Sequence, residues 1–438
     1  LKVTESALPT PIPYEALTKM VPEGEFFAGK EWRWAPVPFR LPVHLSRELD
    51  TMGHRLHQFA KACELLYRHS FEGRQPAWIA ELLDQGKPKE VIALGREQIL
   101  SGQIAKIIRP DLVVTEDGFA LCELDQIPGG IGLTAWLNET YSSQGFDVLG
   151  GATGMLDGFS SVLPRGEIIV SREAETYRPE MEWLANRLSS RQGSRDWSVT
   201  NDAARESWSG EVYRFFEMFD LSNVACSKGL FHDAIHGKVT VTPPPKAQLE
   251  EKLWMAFFWM PPLKDFWLRH LGDRGVQALK KWIPYTWILD PAPLPHQAVY
   301  PRLEIQDWKE LRGFSQKERD LIIKISGFDG RAWGARGVSL GSDLSRSDWE
   351  ESLLNALREF PEHPYILQTY RHSLLSDQPY YDDQGNVVMM KGRVRLSPYF
   401  FIAGEKANLG GVLATFCPAD KKILHGMSDA VMVPVISE

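Results

Sequence analysis

Hydrophobic and polar positions alternate most regularly over residues 107–114 and 119–125. Ile108, Leu112 and Val114 alternate with Arg109 and Asp111, and Cys122 and Leu124 alternate with Glu123 and Asp125. A period of two reads as a pair of strands with one apolar and one charged face. Glu116, Asp117 and Gly118 predict a three-residue hairpin loop, with glycine where a left-handed conformation is needed. In that register Thr115 faces Phe119, Asp111 faces Glu123 and Arg109 faces Asp125. A loop of Asp117 and Gly118 alone slips the pairing by one and takes Asp111 out of the charged face.

Elsewhere the pattern changes several times. Helical spacing marks residues 45–67 and 78–83, after a Pro-rich start. Beyond the hairpin, the glycines of 128–134 predict a loop, and a helix follows from Ala135. Residues 168–171, 177–188, 197–200 and 212–216 then read as strand, helix, strand, strand, a small Rossmann-like α/β layer. Pro243, Pro244 and Pro245 predict a rigid entry into a helix over 248–256 with Lys252 in its first turns. Residues 282–291, broken by proline, predict an irregular connector between lobes. A strand over 320–326 carries Lys324 and runs into the glycine-containing segment 327–341. A helix over 349–360 and a strand over 365–370 follow. The expected class is α/β (α+β), divided into a helical region 1–104, a hairpin with a small α/β layer 105–240, and two further lobes 241–438.

Composition narrows the partners. The net charge of −8 and the lack of long basic runs argue against nucleic acid. Cys63, Cys122, Cys226 and Cys417 lie far apart with no CxxC pair, which fits a reducing, cytoplasmic setting without a zinc signature. No apolar N-terminal stretch reads as a signal peptide, and the run 253–263 is too short to span a membrane.

Candidate chemistry sits in two constellations. On the charged face of the hairpin, Arg109 is joined by Asp111, Glu123 and Asp125, and facing carboxylates repel unless a cation neutralises them. Oxygen-only donors suit magnesium, held by one or two carboxylates together with substrate phosphates. The opposing reading is a solvated strand face. In the second constellation, Lys324 on a strand precedes a loop with Gly334 and Gly337, an arrangement that lets backbone amides and a compact cation meet phosphate. It is neither a GxxxxGK[ST] loop nor a GxGxxG turn. Gln368, Thr369 and Tyr370 have the spacing of a strand end whose backbone can meet an adenine. Arg393 and Arg395 share one strand face and suit a carboxylate or phosphate. His232 and His236 have helical zinc spacing but lack the glutamate of HExxH, so a structural pair is the simpler account.

The order of acidic hairpin, Pro-Pro segment with lysine, strand lysine, glycine loop and Ile-Leu-Gln strand resembles the circularly permuted ATP-grasp proteins of the glutathionylspermidine synthetase type. Ordinary ATP-grasp enzymes carry their metal carboxylates after the nucleotide lysines, and here they come first. The resemblance covers about residues 105–438. It implies that Arg109 binds phosphate and stabilises charge on the transferring phosphoryl group, that Asp111, Glu123 and Asp125 hold Mg2+, and that Lys252 and Lys324 are the two nucleotide lysines. Gln368, Thr369 and Tyr370 become the adenine hinge, with Gly334 and Gly337 in the covering loop. The implied activity is ATP-dependent ligation of a small-molecule or peptide carboxylate to an amine through an acyl phosphate. The alternative is nucleotide binding without turnover. Three positions depart from the pattern: Asp125 stands where Asn is usual, Ile325 where Pro often follows the lysine, and Thr369 where Glu is common.

Overall fold

The computed structural model describes residues 10–24, 26, 32–192, 197–201, 203, 205, 207–332, 336–425 and 429–438. The chain first lays down β1 (Phe39–Leu41) and the long helix Val43–Phe71, then β2 (Ile107–Thr115) and β3 (Gly118–Asp125). Next come β4 (Gly166–Val170), β5 (Trp197–Asn201), β6 (Gly210–Phe215) and β7 (Val239–Thr242). They are followed by β8 (Thr286–Ile288), β9 (Leu321–Ile325), β10 (Val338–Leu340) and β11 (Tyr365–Thr369). The last four are β12 (Ser376–Tyr381), β13 (Val387–Ala403), β14 (Lys406–Pro418) and β15 (Val431–Ser437).

These strands form three sheets among the described residues. The largest runs β1-β15-β14-β13-β2-β3, with β12 also paired to β13. It joins distant parts of the sequence: Phe39 pairs in parallel with Val435, and Leu112 pairs with Leu396. Phe400 and Phe401 point to opposite faces of β13, as successive strand residues must. Each ring meets a helix glycine, Phe400 at Gly53 and Phe401 at Gly158, where a Cβ would lie 2.4 and 2.2 Å from the ring. Glycine at those two positions therefore lets a helix lie close on each face of the sheet, the helix Val43–Phe71 on one and Gly154–Val162 on the other.

The second sheet, β10-β9-β11-β8, is antiparallel. The third, β5-β4-β6-β7, is wholly parallel. The mixture of sheets and helices agrees with an α+β class.

Several local expectations are corrected. The hairpin turn is Glu116 and Asp117 alone, since Thr115 pairs with Gly118, whose φ is +108°. A bulge then leaves Cys122 unpaired between the Asp111–Glu123 and Leu112–Leu121 pairs. The shorter turn and the extra residue cancel, so Arg109 still faces Asp125 and Asp111 still faces Glu123. The helix expected from Ala135 starts four residues earlier, at Ile131, capped by Gly130 with φ +86°. The helix expected over 248–256 is a 3-10 turn Ala247–Glu250 followed by the helix Leu253–Trp259. Glu251 interrupts it because its buried carboxylate is drawn to Lys87 and Ser326. The connector 282–291 contains β8, which pairs with β11 and completes the second sheet.

Candidate active site

One cavity of about 1110 Å3 is walled by strands of the first two sheets and by the segments that follow β4 and β6, and it collects most of the residues singled out above. β2 and β3 supply Arg109, Asp111, Glu123 and Asp125. β9 supplies Lys324, the end of β11 supplies Gln368 and Thr369 with Tyr370 beyond it, and β13 supplies Arg395, Ser397 and Tyr399. Lys252, at the N-cap of the helix Leu253–Trp259, completes the wall.

The charged hairpin face is not a solvated one. Asp111 is only 4 % exposed. Its carboxylate meets Arg109 Nε at 3.1 Å and Arg395 Nη1 at 3.2 Å, and it accepts a 2.8 Å hydrogen bond from Ser397 Oγ. Burial works against that charge, but the two guanidinium groups outweigh it and hold the Asp111 pKa below the usual carboxylate range. Arg109 also meets Asp125 at 2.9 Å and donates to the Gly129 carbonyl at 2.9 Å. Burial raises the Asp125 pKa despite that arginine. Lys252 Nζ lies 2.7 Å from Glu123 Oε1 and donates to the Ala332 carbonyl at 3.2 Å. The repulsion expected between facing carboxylates is thus relieved by the protein's own cations.

Magnesium chemistry can be tested against this donor set. Glu123 is 40 % exposed at its side chain and Asp125 21 %, and both face the cavity. These two carboxylates fit an oxygen-seeking ion that keeps waters and phosphate oxygens as its other ligands. Asp111 fits less well, since both its oxygens are engaged by Arg109, Arg395 and Ser397. Among the described residues no three Asp, Glu, His or Cys side chains converge as a ready-made metal group.

Lys324 is 7 % exposed and donates to the Cys122 carbonyl and to Gln368 Oε1, both at 2.9 Å. Burial pushes its pKa down. Gln368 in turn donates to Thr286 Oγ1 at 2.9 Å, so β8, β9 and β11 are linked side chain to side chain. The amides of Thr369 and Tyr370 donate to the carbonyls of Tyr285 and Asp320, each at 2.9 Å. Those two amides are therefore engaged within the chain. The phenol of Tyr370 donates to the Lys422 carbonyl and is pushed up to about 12, mainly by burial.

Gly337 packs against β9 outside the cavity wall. A Cβ there would lie 2.6 Å from Ile325 Cγ2, and its carbonyl accepts from the Ile325 amide at 3.2 Å. Gly334 lies outside the described residues. Arg393 turns away from the carboxylates to the carbonyls of Ser373 and Ala419. The His232 and His236 rings lie 4.4 Å apart, and His236 Nδ1 is 2.7 Å from the His232 carbonyl, an internal pair.

Sequence reasoning missed the other end of the cavity, where Tyr177, Glu180, Glu217 and Glu250 join the wall. Burial, then Glu250, pushes the Glu217 pKa well above the carboxylate range. Arg214, fully buried, holds Glu250 at 2.8 Å and thereby ties β6 to the Pro243 and Pro244 carbonyls. Arg336 reaches Glu173 at 3.8 Å, connecting the segment before β10 to the one after β4.

No protein-family model matches this sequence, and no curated protein matches it. Among solved structures, the chain is similar to a glutathione synthetase-like effector, GSS30, from Globodera pallida, in its apo form. The match spans 92 % of this chain and 89 % of that one, with a TM-score of 0.54 and 12 % identity. The two share a fold. A further match is to a protein of Methylobacillus flagellatus KT provisionally assigned as a gamma-glutamylcysteine synthetase. It has 12 % identity and a TM-score of 0.41, and covers 91 % of this chain and 89 % of that one. Among the described residues no helix is long and apolar enough to cross a membrane.

Proposed function

We propose that this protein is an ATP- and magnesium-dependent carboxylate–amine ligase of the circularly permuted ATP-grasp class, forming an amide bond through an acyl phosphate. One observation carries the reading: Lys252 and Lys324, from separate elements, meet Glu123, Asp125 and Arg109 in a single cavity wall. A fold shared with a glutathione synthetase-like protein supports it.

ATP and magnesium, when bound, supply the phosphoryl group that activates the acid and the charge that offsets its oxygens. The chain's own residues position and neutralise. Lys324, fixed by Gln368 and the Cys122 carbonyl, presents its ammonium from the floor of the second sheet. Lys252, now paired with Glu123, would hold phosphate oxygens when nucleotide is bound, and Glu123 with Asp125 would hold the ion. Asp111 clamps Arg109 and Arg395 together, so that two guanidinium groups face the reacting end of the cavity. Ala332, Arg336 and Val338 wall the cavity, with Ala332 tied to Lys252, and would restrict water at the activated acid.

A second reading, nucleotide binding without turnover, draws on Arg109. Its guanidinium is already taken up by Asp111, Asp125 and Gly129. ADP release distinguishes the two. Screening small acids against small amines with MgATP should reveal a pair that depends on both partners, and Glu123→Gln should abolish that release. Turnover retained in Glu123→Gln contradicts the ligase, and nucleotide binding with no release from any pair favours the second reading.

A further inference from the structure

Beside the main cavity lies a smaller crevice that no reading of the sequence anticipated. It opens at the carboxyl ends of β4 and β6, between the segments that leave those strands. In the parallel sheet β4 is followed by β5 on one side and by β6 on the other, so the crevice sits at the point where the strand order reverses. Parallel sheets bind ligands at such points, because the two connections part and leave a gap at the strand ends.

The walls have a definite chemistry. Tyr177, Phe215, Phe216 and Phe219 supply aromatic surface, Asp220 supplies a carboxylate, and Glu217 supplies a carboxyl group. Asp220 is 2 % exposed. One of its oxygens accepts from Asn223 Nδ2 at 2.8 Å, and the other, Oδ2, is buried with no hydrogen-bond partner among the described residues. A buried carboxylate oxygen without a donor is costly, and buried charges are ordinarily paired. Aromatic faces beside it favour a cation over a neutral donor.

Size restricts the occupant. The crevice holds about 30 Å3, space for one or two water-sized groups. Tyr177 and Glu217 line this crevice and the main cavity alike, so a molecule lying in the cavity can send one small group into it.

We propose that the crevice between the ends of β4 and β6 binds a primary ammonium group, held by Asp220 and Glu217 against the Tyr177 and Phe219 rings. The group is the charged end of a small amine or amino acid whose remainder extends into the main cavity. Because it is held protonated, it is an anchor and not the attacking amine. That the molecule is a substrate rests on the ligase reading. The ammonium site itself does not.

The test uses the full chain and two probes, n-propylammonium and the uncharged 1-propanol, titrated by saturation-transfer NMR. The wild type should bind propylammonium saturably and not propanol. Asp220→Asn should weaken propylammonium at least tenfold, and Glu217→Ala, which removes an acceptor oxygen, several-fold. Should Asp220→Asn not fold, Phe219→Leu, which leaves both acidic side chains, should still weaken it several-fold. Equal binding of the two probes, or propylammonium affinity unchanged in folded variants, overturns the proposal and leaves a buried water as the occupant. MgATP is titrated into the same samples. Ammonium binding without any nucleotide response overturns the ligase reading alone, and nucleotide binding without the ammonium site overturns this proposal alone.

Discussion

Lys252 Nζ lies 2.7 Å from Glu123 Oε1, so the lysine assigned to nucleotide and the carboxylate assigned to magnesium neutralise one another. Burial opposes the charge on Lys252, and Glu123 outweighs it and pushes the lysine pKa up. Lys252→Met should weaken MgATP at least tenfold by calorimetry. The carboxylate left behind is 40 % exposed and regains water, so urea unfolding should register a loss of about 1 kcal/mol or less. An unchanged nucleotide affinity would remove Lys252 from the site.

Asp111 should behave differently from Glu123. It lies under two arginines and is almost wholly buried, and removing one partner from such a group is expensive. Asp111→Asn should cost about 3 kcal/mol in urea unfolding, well beyond the effect of Glu123→Gln. A variant as stable as the wild type that has lost its magnesium response would make Asp111 an ion ligand instead of a clamp.

Asp125 gives a pH test with a definite sign. Its pKa is raised by burial above the unfolded value of about 3.9, so the folded protein binds that proton more tightly than the unfolded chain. The associated stability is complete below the unfolded pKa and is lost as pH rises through the folded one. Asp125→Asn should therefore unfold a few degrees above the wild type at pH 8 and close to it at pH 3.5. An equal difference at both pH values would show that the charge of Asp125 is not what burial penalises.

Lys324 is a buried cation disfavoured by its surroundings, since burial lowers its pKa. Lys324→Met removes a desolvated charge along with two hydrogen bonds, to Gln368 and the Cys122 carbonyl. These opposing effects should leave stability within about 1 kcal/mol of the wild type, while MgATP affinity falls at least tenfold. A severe loss of stability would mean that Lys324 serves mainly to join β9 to β11.

The hairpin shows how far local pattern reaches. Alternation over 107–114 and 119–125 was enough to pair Arg109 with Asp125 and Asp111 with Glu123, because side-chain period survives small errors in the turn. The two-residue turn and the Cys122 bulge compensate one another, and nothing in Glu116, Asp117 or Gly118 announces the bulge. Partners from distant strands were harder to see. Arg395 reaches Asp111 only because β13 lies beside β2, although the two residues are 284 positions apart in the chain. Glu251 similarly breaks the expected helix through Lys87 and Ser326, both remote in sequence. Glu217 and Asp220 carry no local signature at all, since their place is set by the strand order of the parallel sheet.

The proposed ligase requires one cavity that binds nucleotide through magnesium at Glu123. Thermal unfolding of the wild type and Glu123→Gln, with MgATP, with ATP plus EDTA, and without ligand, tests it directly. Saturation at a hundred times the dissociation constant should add about 2.7 kcal/mol, a rise of several degrees. The proposed site predicts that rise in the wild type with MgATP, its loss with EDTA, and its loss in Glu123→Gln. No shift in any sample, or the same shift in the variant, would contradict it.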